Sequence, residues 1–325
     1  MKAITYRSFG PAQDVLELTE MPDPVAAEGE VVVRLRASGI NPSDVKLRAG
    51  ARPGATMPYP VVIPHSDGAG VIEAVGPGVD PARIGERVWI WNGHWQRAFG
   101  TGAEYIALPS EQAVRLPDTT SFAEGACFGI PAMTAWYALY RDGPIQDKTI
   151  LVTGGAGTVG RYACQMAALG GARVITTISS DAKAQHSGAQ EWVNYQEQDV
   201  AETVLDMTNG AGVDRIVEVD FAANQSASLA LIKPGGAIAS YASASQMRPE
   251  LDFYGFMFKN IHLQMLIVYQ LDAQARRRGE AQLAQWLEKR ALSHAVVPGG
   301  PLDQAMTAHA MVEAGDKMGT VVLEM

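Results

Sequence analysis

The feature that most constrains the fold is a glycine-rich loop between an apolar run and a helix-like run. Residues 149–153 (TILVT) lead directly into GGAGTVG, and residues 161–169 follow with helical periodicity. In the resulting pattern G-x-G-x-x-G the first glycine permits a tight turn, the second lets a pyrophosphate approach the backbone, and the third lets the helix pack on the strand. The N-terminus of that helix stabilises phosphate charge. The motif predicts a dinucleotide site formed by Gly155, Ala156, Gly157, Thr158, Val159 and Gly160.

The residues around this loop alternate between strand-like and helix-like segments. Such alternation predicts right-handed crossovers and an α/β fold with a doubly wound parallel sheet. An ordinary glycine-rich turn is the alternative for the loop, but the β-α-β setting and an apolar helix face (Val159, Ala163, Met166, Ala167) favour dinucleotide binding. The six apolar runs of strand length are 149–153, 174–178, 191–195, 215–219, 237–241 and 262–269.

The chain of 325 residues exceeds what one core usually covers, so two domains are expected. Up to about residue 117, short runs such as the alternating VVVRLRAS (31–38) are broken by Gly and Pro, which predicts a mostly β segment. An amphipathic helix over 271–292, with Leu283, Trp286 and Leu287 on one face, precedes a final strand near 319–323. We expect this tail to return to the first domain. The predicted division is 1–122 and 271–325 for the mostly β catalytic domain and 123–270 for the dinucleotide-binding domain.

The choice between NAD and NADP depends on the end of the second strand of the sheet. A carboxylate there bonds the ribose 2′-hydroxyl of NAD and repels a 2′-phosphate. Here the run ends at Ile178, and Ser179, Ser180 and Lys183 follow, which favours NADPH with Lys183 as the main phosphate partner. Asp181 lies near the position of an NAD-binding acid, but its place at the start of the next helical segment favours a helix cap.

Four segments occur in an order that resembles a known family: ASGINPSD (37–44), SDGAGVIEAVG (66–76), GIPAMTA (129–135) and the glycine loop. Together they are similar to the medium-chain dehydrogenase/reductase superfamily, and within it to the zeta-crystallin-like quinone oxidoreductase branch. The resemblance covers nearly the whole chain. It implies a GroES-like catalytic domain formed from both chain ends, a Rossmann domain inserted between them, and an active site in the cleft.

The resemblance also bears on metal binding. Zinc alcohol dehydrogenases of this superfamily place their catalytic ligands at positions that correspond to Asn41, Ser66 and Ile130, which are not a competent set for tetrahedral zinc. His65 is displaced by one residue from the expected histidine, and the lobe with four cysteines is absent. We therefore expect no metal. Without a Lewis acid the acceptor must already be electrophilic, as quinones and α,β-unsaturated carbonyls are, while NADPH supplies the hydride.

The resemblance further implies roles for individual residues. Asn41 and Thr134 are expected near the nicotinamide and the substrate. Other cofactor-lining positions, for which ordinary packing is the alternative, are Tyr195, Tyr241, Ser243, Val268 and Tyr269.

Two departures from the family pattern add candidates. Where members of the branch often carry a tyrosine, this chain has Lys46, which could polarise a carbonyl or could be an ordinary exposed lysine. The loop WIWNGHWQRAFG (89–100) is rich in aromatic residues. Its Trp91 and Trp95 could line a pocket for a flat ring, with His94 as a proton donor, or the loop could be buried in the barrel core.

Composition limits the partners. A net charge of −9 argues against nucleic acid and anionic membranes, and no run has the length of a membrane helix or the pattern of a signal peptide, so we expect a cytoplasmic protein. The two cysteines, Cys127 and Cys164, cannot form a disulfide framework. The arginines at 276–278 are expected on a solvated helix face. The apolar strand at 263–269, as a sheet edge, favours pairing in a homodimer.

Three functions stay open on the sequence alone. The leading hypothesis is an NADPH:quinone reductase. The second is an NADPH-dependent reductase of enones or acrylate-like alkenes, which the residues do not distinguish from the first. The third is a non-catalytic NADPH-binding or RNA-binding protein like some zeta-crystallin relatives, which Lys46 favours and the acidic charge opposes.

Overall fold

The computed structural model describes residues 1–51 and 54–325, and the chain divides into two units. Unit 1 comprises Met1–Ile130 and Glu280–Met325, and unit 2 comprises Pro131–Gly279. The strands among the described residues are β1 Lys2–Thr5, β2 Glu17–Glu20, β3 Glu30–Ile40, β4 Asp67–Val75, β5 Arg87–Ile90, β6 Tyr105–Pro109, β7 Ala113–Arg115, β8 Thr149–Val152, β9 Arg173–Ile178, β10 Glu191–Asn194, β11 Val213–Glu218, β12 Ile232–Ser240, β13 His262–Met265, β14 Val296–Pro301 and β15 Thr320–Glu324. The helices are α1 Ala12–Val15, α2 Pro42–Arg48, α3 Phe122–Gly125, α4 Gly129–Tyr140, α5 Thr158–Leu169, α6 Ala184–Ser187, α7 Val200–Met207, α8 Phe221–Leu231, α9 Phe253–Phe258, α10 Ala273–Glu288 and α11 Ala305–Ala314.

The long strand β3 organises the main sheet of unit 1. Its alternation places Val31, Val33 and Leu35 in a buried core, while Arg34 and Arg36 are exposed. The sheet has the order β14-β15-β3-β4-β5-β7, with β6 also paired to β3. Strand β15 pairs antiparallel with β3, so the C-terminal tail returns to the first domain as predicted.

Unit 2, all of whose residues are described, contains a parallel sheet in the order β10-β9-β8-β11-β12-β13. This order confirms the predicted doubly wound sheet of six strands. The predicted length of the sixth strand, 262–269, was wrong. Strand β13 ends at Met265 because its only partner, β12, ends opposite it at Ser240, and Val268–Gln270 forms a 3₁₀ turn instead.

The chain passes between the units within helices α4 and α10. The units therefore change at 130/131 and 279/280, whereas the pattern of strand-like and helix-like segments predicted boundaries at 122/123 and 270/271. Each helix begins after the predicted boundary, and the change of unit falls inside the helix. Helix α10 buries Leu283, Trp286 and Leu287, as its predicted apolar face required. No helix among the described residues has both the length and the apolarity needed to cross a membrane.

Candidate functional site

The glycine loop of unit 2 joins the end of strand β8 to the start of helix α5. Gly157 is the N-cap of α5, and its N–H donates to Gly154 O (2.9 Å). The preceding turn is tied to strand β9, since the N–H groups of Gly154 and Gly155 donate to Thr177 Oγ1 (2.9 Å) and Thr177 O (3.1 Å). The strand, turn and helix that the motif requires are therefore present.

Each glycine of the loop has a distinct physical task. The tight turn depends on Gly154, which has φ +67°, and not on Gly155 as the motif alone suggested. A Cβ at Gly155 would lie 2.0 Å from Thr176 Oγ1, so this glycine permits the loop to touch β9. A Cβ at Gly160 would lie 2.3 Å from Gly154 O, so this glycine packs the helix against the turn. A Cβ at Gly157 would meet only Gly154 O, at 3.2 Å, which leaves one side of the loop open.

The residues after strand β9 form a small polar group. Lys183 Nζ donates to Ser179 Oγ (2.8 Å), which brings a cation and a hydroxyl together where a 2′-phosphate is expected. Ser180 holds the N-cap position of the 3₁₀ turn Asp181–Lys183, and Asp181 is its first residue. The capping role expected of Asp181 was therefore wrong, and its side chain is exposed.

The other expected cofactor residues of unit 2 follow the carboxyl ends of its strands. The N–H of Tyr195 donates to Ile178 O (3.1 Å), and the N–H of Tyr241 donates to Glu218 O (3.1 Å). Ser243 Oγ accepts from Ala222 N–H (3.3 Å) and donates to Gln246 O (2.7 Å). Parallel strands end at one edge of the sheet, so these residues lie along the same edge as the glycine loop. Val268 and Tyr269 lie in the 3₁₀ turn beyond β13, and Thr134 is buried in helix α4.

A buried acid that the sequence patterns did not predict lies at this edge of the sheet. Glu218 ends strand β11, and one of its oxygens accepts from Thr153 Oγ1 (3.0 Å), Asn224 Nδ2 (2.8 Å) and the N–H of Asp220 (2.6 Å). Burial raises its pKa, although these hydrogen bonds oppose the change. The carboxyl group thus fastens the end of β8 to the end of β11 beside the glycine loop.

Unit 1 holds a buried amide between two buried carboxyl groups. Asn41 precedes helix α2, and its N–H donates to Asp44 Oδ2 (2.8 Å), as in a capping box. Asn41 Nδ2 donates to Asp67 Oδ2 (2.8 Å), and the N–H of Ile130 donates to both oxygens of Asp67 (2.9 Å each). A Cβ at Gly129 would lie 2.2 Å from Asp67 Oδ1, so only glycine lets α4 begin here.

Burial perturbs both of these carboxyl groups. It raises the pKa of Asp44 to about 7, although hydrogen bonds from Asn41 and Ser66 oppose the change. It also holds the pKa of Asp67 well above its ordinary value, and the nearby Asp44 raises it further. Two acids joined through one asparagine do not both ionise readily, because the charge of one carboxylate raises the pKa of the other.

A chain of hydrogen bonds, in which the donor of each bond can be assigned, ends at the backbone oxygen of Asp67. Thr101 Oγ1 donates to Asp67 O (2.6 Å), so Ser38 must donate to Thr101 (2.9 Å) and accept from His65 Nδ1 (3.0 Å). His65 Nε2 is then an acceptor, and His309 Nε2–H donates to it (2.8 Å). This assigns a neutral tautomer to each imidazole. His65 adopts φ +77°, a strained conformation for a residue with a side chain, which these bonds compensate.

We expect this histidine pair to lower the free energy of unfolding as the pH is decreased below about 6.5. Burial lowers the pKa of His309 to about 3 and that of His65 well below its ordinary value. The unfolded chain therefore binds more protons than the folded chain between about pH 6.5 and pH 3. His309→Gln keeps a donor for His65 Nε2 but cannot titrate. Urea unfolding at several pH values should give this variant a slope about 1 kcal/mol per pH unit shallower, and an unchanged slope would contradict a lowered pKa of His309 in the folded chain.

The remaining candidates of unit 1 differ in environment. Lys46 is exposed on helix α2. Trp91 is buried and its Nε1 donates to Glu280 Oε1 (3.1 Å), while Trp95 is partly buried. Burial, with a contribution from Arg97, lowers the pKa of His94 to about 4, so this imidazole is neutral at pH 7. The burial of Trp89 and Trp91 agrees with packing in the core. The pocket for a flat ring, formed by Trp91, His94 and Trp95, stays a prediction.

Known proteins resemble the chain along its whole length. The model of the alcohol dehydrogenase GroES-like domain matches residues 27–118, and that of the zinc-binding dehydrogenase matches residues 158–288. A quinone oxidoreductase of Pseudomonas aeruginosa is 33% identical over 75% of this chain and 74% of that protein. The chain belongs to the medium-chain dehydrogenase/reductase superfamily, in its quinone oxidoreductase branch. This membership makes it an oxidoreductase, with a GroES-like domain and a Rossmann domain.

Two solved structures show the same fold. A mycobacterial protein in complex with NADPH is 30% identical, with a TM-score of 0.86 and complete coverage of both chains. An NAD-dependent alcohol dehydrogenase is 29% identical, with a TM-score of 0.89 and the same coverage. The two relatives are described with different cofactors. The choice of cofactor in this superfamily member therefore depends on its own residues after strand β9.

The zinc site named in the description of one family model does not fit the residues of this member. Asn41 and Ser66 place their side chains against Asp67 and Asp44, and Ile130 offers only its backbone N–H to Asp67. An amide, a hydroxyl and an alkyl group are not the donors that catalytic zinc requires. Among the described residues, no group of three or more His, Cys, Asp or Glu side chains is suited to a metal ion.

Proposed function

We propose that this chain is an NADPH-dependent reductase that transfers a hydride to a quinone. The observation that carries the cofactor assignment is the Lys183–Ser179 pair at the end of strand β9, one strand away from the glycine loop. The 33% identity to a quinone oxidoreductase supports a quinone as the acceptor. The residues at the zinc-ligand positions, which cannot hold zinc, also support it. When bound, NADPH supplies the hydride.

The residues of unit 2 bind and orient the cofactor. The loop Gly155–Gly160 and the N-terminus of helix α5 bind the pyrophosphate, because helical N–H groups stabilise negative charge there. Lys183, Ser179 and Ser180 bind the 2′-phosphate. The other cofactor contacts that we propose are Thr134, Tyr195, Tyr241, Ser243, Val268 and Tyr269.

The residues of unit 1 orient the acceptor. Asn41 is the main candidate, since Asp44 and Asp67 fix its backbone N–H and its side-chain nitrogen and so hold the amide in one orientation. Lys46 is a second candidate, because an exposed cation can stabilise a developing oxyanion. We assign the pocket for the flat ring to Trp91, His94 and Trp95, in which the neutral His94 donates a hydrogen bond.

The reaction is tested by the loss of NADPH absorbance against matched panels of quinones and enones, with and without a metal chelator. We expect quinones to be reduced at least tenfold faster than enones, with no effect of the chelator. Faster reduction of enones would instead identify an alkene reductase. Tight NADPH binding without turnover of any acceptor would identify a non-catalytic protein.

We expect Lys183→Glu to raise the NADPH KM by at least tenfold and to leave the NADH KM unchanged. The substitution replaces a charge-assisted bond to the 2′-phosphate, worth about 1.5–3 kcal/mol, with repulsion. Asp181→Asn is the matched control, because it changes the charge two residues away on an exposed side chain. An unchanged NADPH KM in Lys183→Glu, or a change in the NADH KM of Asp181→Asn, would favour NAD.

We also propose a homodimer that pairs through strand β13. This strand is an edge of the sheet, and unpaired edges favour association. Apolar side chains of the strand and of the preceding helix α9 are exposed, including Met265 (62%) and Phe258 (78%). Sedimentation equilibrium is expected to give twice the mass of one chain.

A further inference from the structure

The three consecutive arginines of helix α10 lie in three different environments. Arg276 is buried, with only 7% of its surface exposed, and Arg277 faces solvent. Arg278 lies over the ring of Trp136, with its Cζ 5.6 Å from the ring centroid. The expected solvated face was therefore wrong for Arg276, and Arg278 belongs to a structured part of the surface.

Arg278 lines a cavity of about 230 Å³ within unit 2. One wall is the C-terminal part of helix α4 and the residue that follows it, and the other is the start of helix α10. Trp136 is 3% exposed and stacks on Tyr140, with ring centroids 6.1 Å apart. The residues that matter for its chemistry are Trp136, Tyr137, Arg141, Asp272, Gln274 and Arg278.

Two guanidinium groups are held at this cavity with donors to spare. Arg141 lies over Tyr137, with its Cζ 5.7 Å from the ring centroid, in the same way as Arg278 lies over Trp136. Such cation–π contacts hold the planar groups in place without using their N–H donors. Among the described residues, the only hydrogen bond from either guanidinium runs from Arg278 Nη2 to Tyr140 O (3.1 Å). Each guanidinium has five N–H donors.

The acidic groups nearby already have partners. Asp272 Oδ1 accepts from the N–H groups of Gln274 (2.9 Å) and Ala275 (2.8 Å), as a cap of helix α10. Asp142 accepts from Arg215 (2.5 Å) and from Gln264 (2.6 Å). The cavity is lined by Arg141 and Arg278 and by one carboxylate, that of Asp272, which caps helix α10. It therefore carries an excess of positive charge.

We propose that this cavity binds a small dianion of the kind represented by inorganic phosphate or a phosphate monoester, held between Arg141 and Arg278. Planar guanidinium forks match the oxygens of phosphate, and Gln274 adds a neutral amide at the rim. The volume is below the roughly 300–1,000 Å³ of pockets that hold drug-sized ligands, which favours a small anion over a nucleotide. The site shares no residue with the glycine loop or with Lys183.

The site is tested by titrating the full chain with phosphate and measuring its thermal unfolding temperature at each concentration. Saturating NADPH in one arm fills the phosphate positions of the proposed cofactor site, and sodium chloride at matched ionic strength in another arm removes general salt effects. We expect phosphate to raise the unfolding temperature beyond chloride in both the presence and the absence of NADPH. Arg141→Gln and Arg278→Gln should each weaken phosphate binding at least tenfold, as measured independently by equilibrium dialysis with labelled phosphate.

Arg277→Gln is the matched control, because it removes the same charge from the adjacent exposed position. It should bind phosphate as the parent does. Arg278→Lys keeps the charge but not the planar fork, so it should lose several-fold in affinity while folding normally. A phosphate effect no greater than that of chloride would overturn the proposal, and so would equal losses in Arg277→Gln and Arg278→Gln. Neither outcome depends on whether the chain reduces a quinone.

Discussion

Gly157→Val is expected to raise the Kd for NADPH at least tenfold and to lower the free energy of unfolding by only about 1 kcal/mol, the usual cost of a poor N-cap. Gly157 has φ −73° and ψ 162°, a backbone conformation that any residue adopts. Within the protein, its Cβ would meet only Gly154 O, at 3.2 Å. The added methyl groups therefore occupy the open side of the loop, where the pyrophosphate approaches the backbone.

Gly155→Val and Gly160→Val separate this effect from loss of the fold. Their Cβ atoms would lie 2.0 Å from Thr176 Oγ1 and 2.3 Å from Gly154 O, so they crowd the protein itself. Overpacking of this kind costs about 1–3 kcal/mol or more, and chemical denaturation should show it. Fluorescence titration with NADPH gives the Kd of each variant. If Gly157→Val bound NADPH like the parent, the open side of the loop would not be the pyrophosphate site.

Local patterns predicted the parts of the fold that short segments determine. The apolar run before the glycine loop and the helical run after it became β8 and α5, and the repeated alternation predicted a doubly wound parallel sheet. The same local reasoning missed the length of the sixth strand, because a strand ends where its partner ends. It also assigned the tight turn to Gly155, since a motif records the presence of glycine but not which one has a positive φ.

The polar cluster of unit 1 was less accessible to sequence reasoning. Asn41 was predicted as a site residue, but its partner Asp67 lies 26 residues away, and His65 meets His309 across 244 residues. Long-range pairs leave no periodicity in the sequence. One signal was present, because Asp67 begins a strand whose next five residues, GAGVI, are all apolar or small. A carboxyl group at such a position has to find buried donors.

Asp67→Ala is expected to lower the free energy of unfolding by about 2–6 kcal/mol, because two buried donors lose their acceptor at about 1–3 kcal/mol each. Those donors are Asn41 Nδ2 and the N–H of Ile130, both at 2.8–2.9 Å from Asp67. Loss of the bond also frees the side chain of Asn41, so activity should fall in the variant that still folds. Asp67→Asn is the matched control, because it keeps the shape and one oxygen acceptor.

The pH dependence of the Asp67→Asn variant tests the protonation of the carboxyl pair. Because burial raises the pKa of Asp67, the folded parent keeps a proton that the unfolded chain releases near pH 4, and the parent loses stability as the pH rises from there. Asparagine does not titrate. Relative to the parent, Asp67→Asn should therefore gain stability as the pH rises above about 4, by up to about 1.4 kcal/mol per pH unit. If it instead lost stability over that range, Asp67 would be an ionised carboxylate stabilised by its donors and by the N-terminus of helix α4, and the pair would hold no proton.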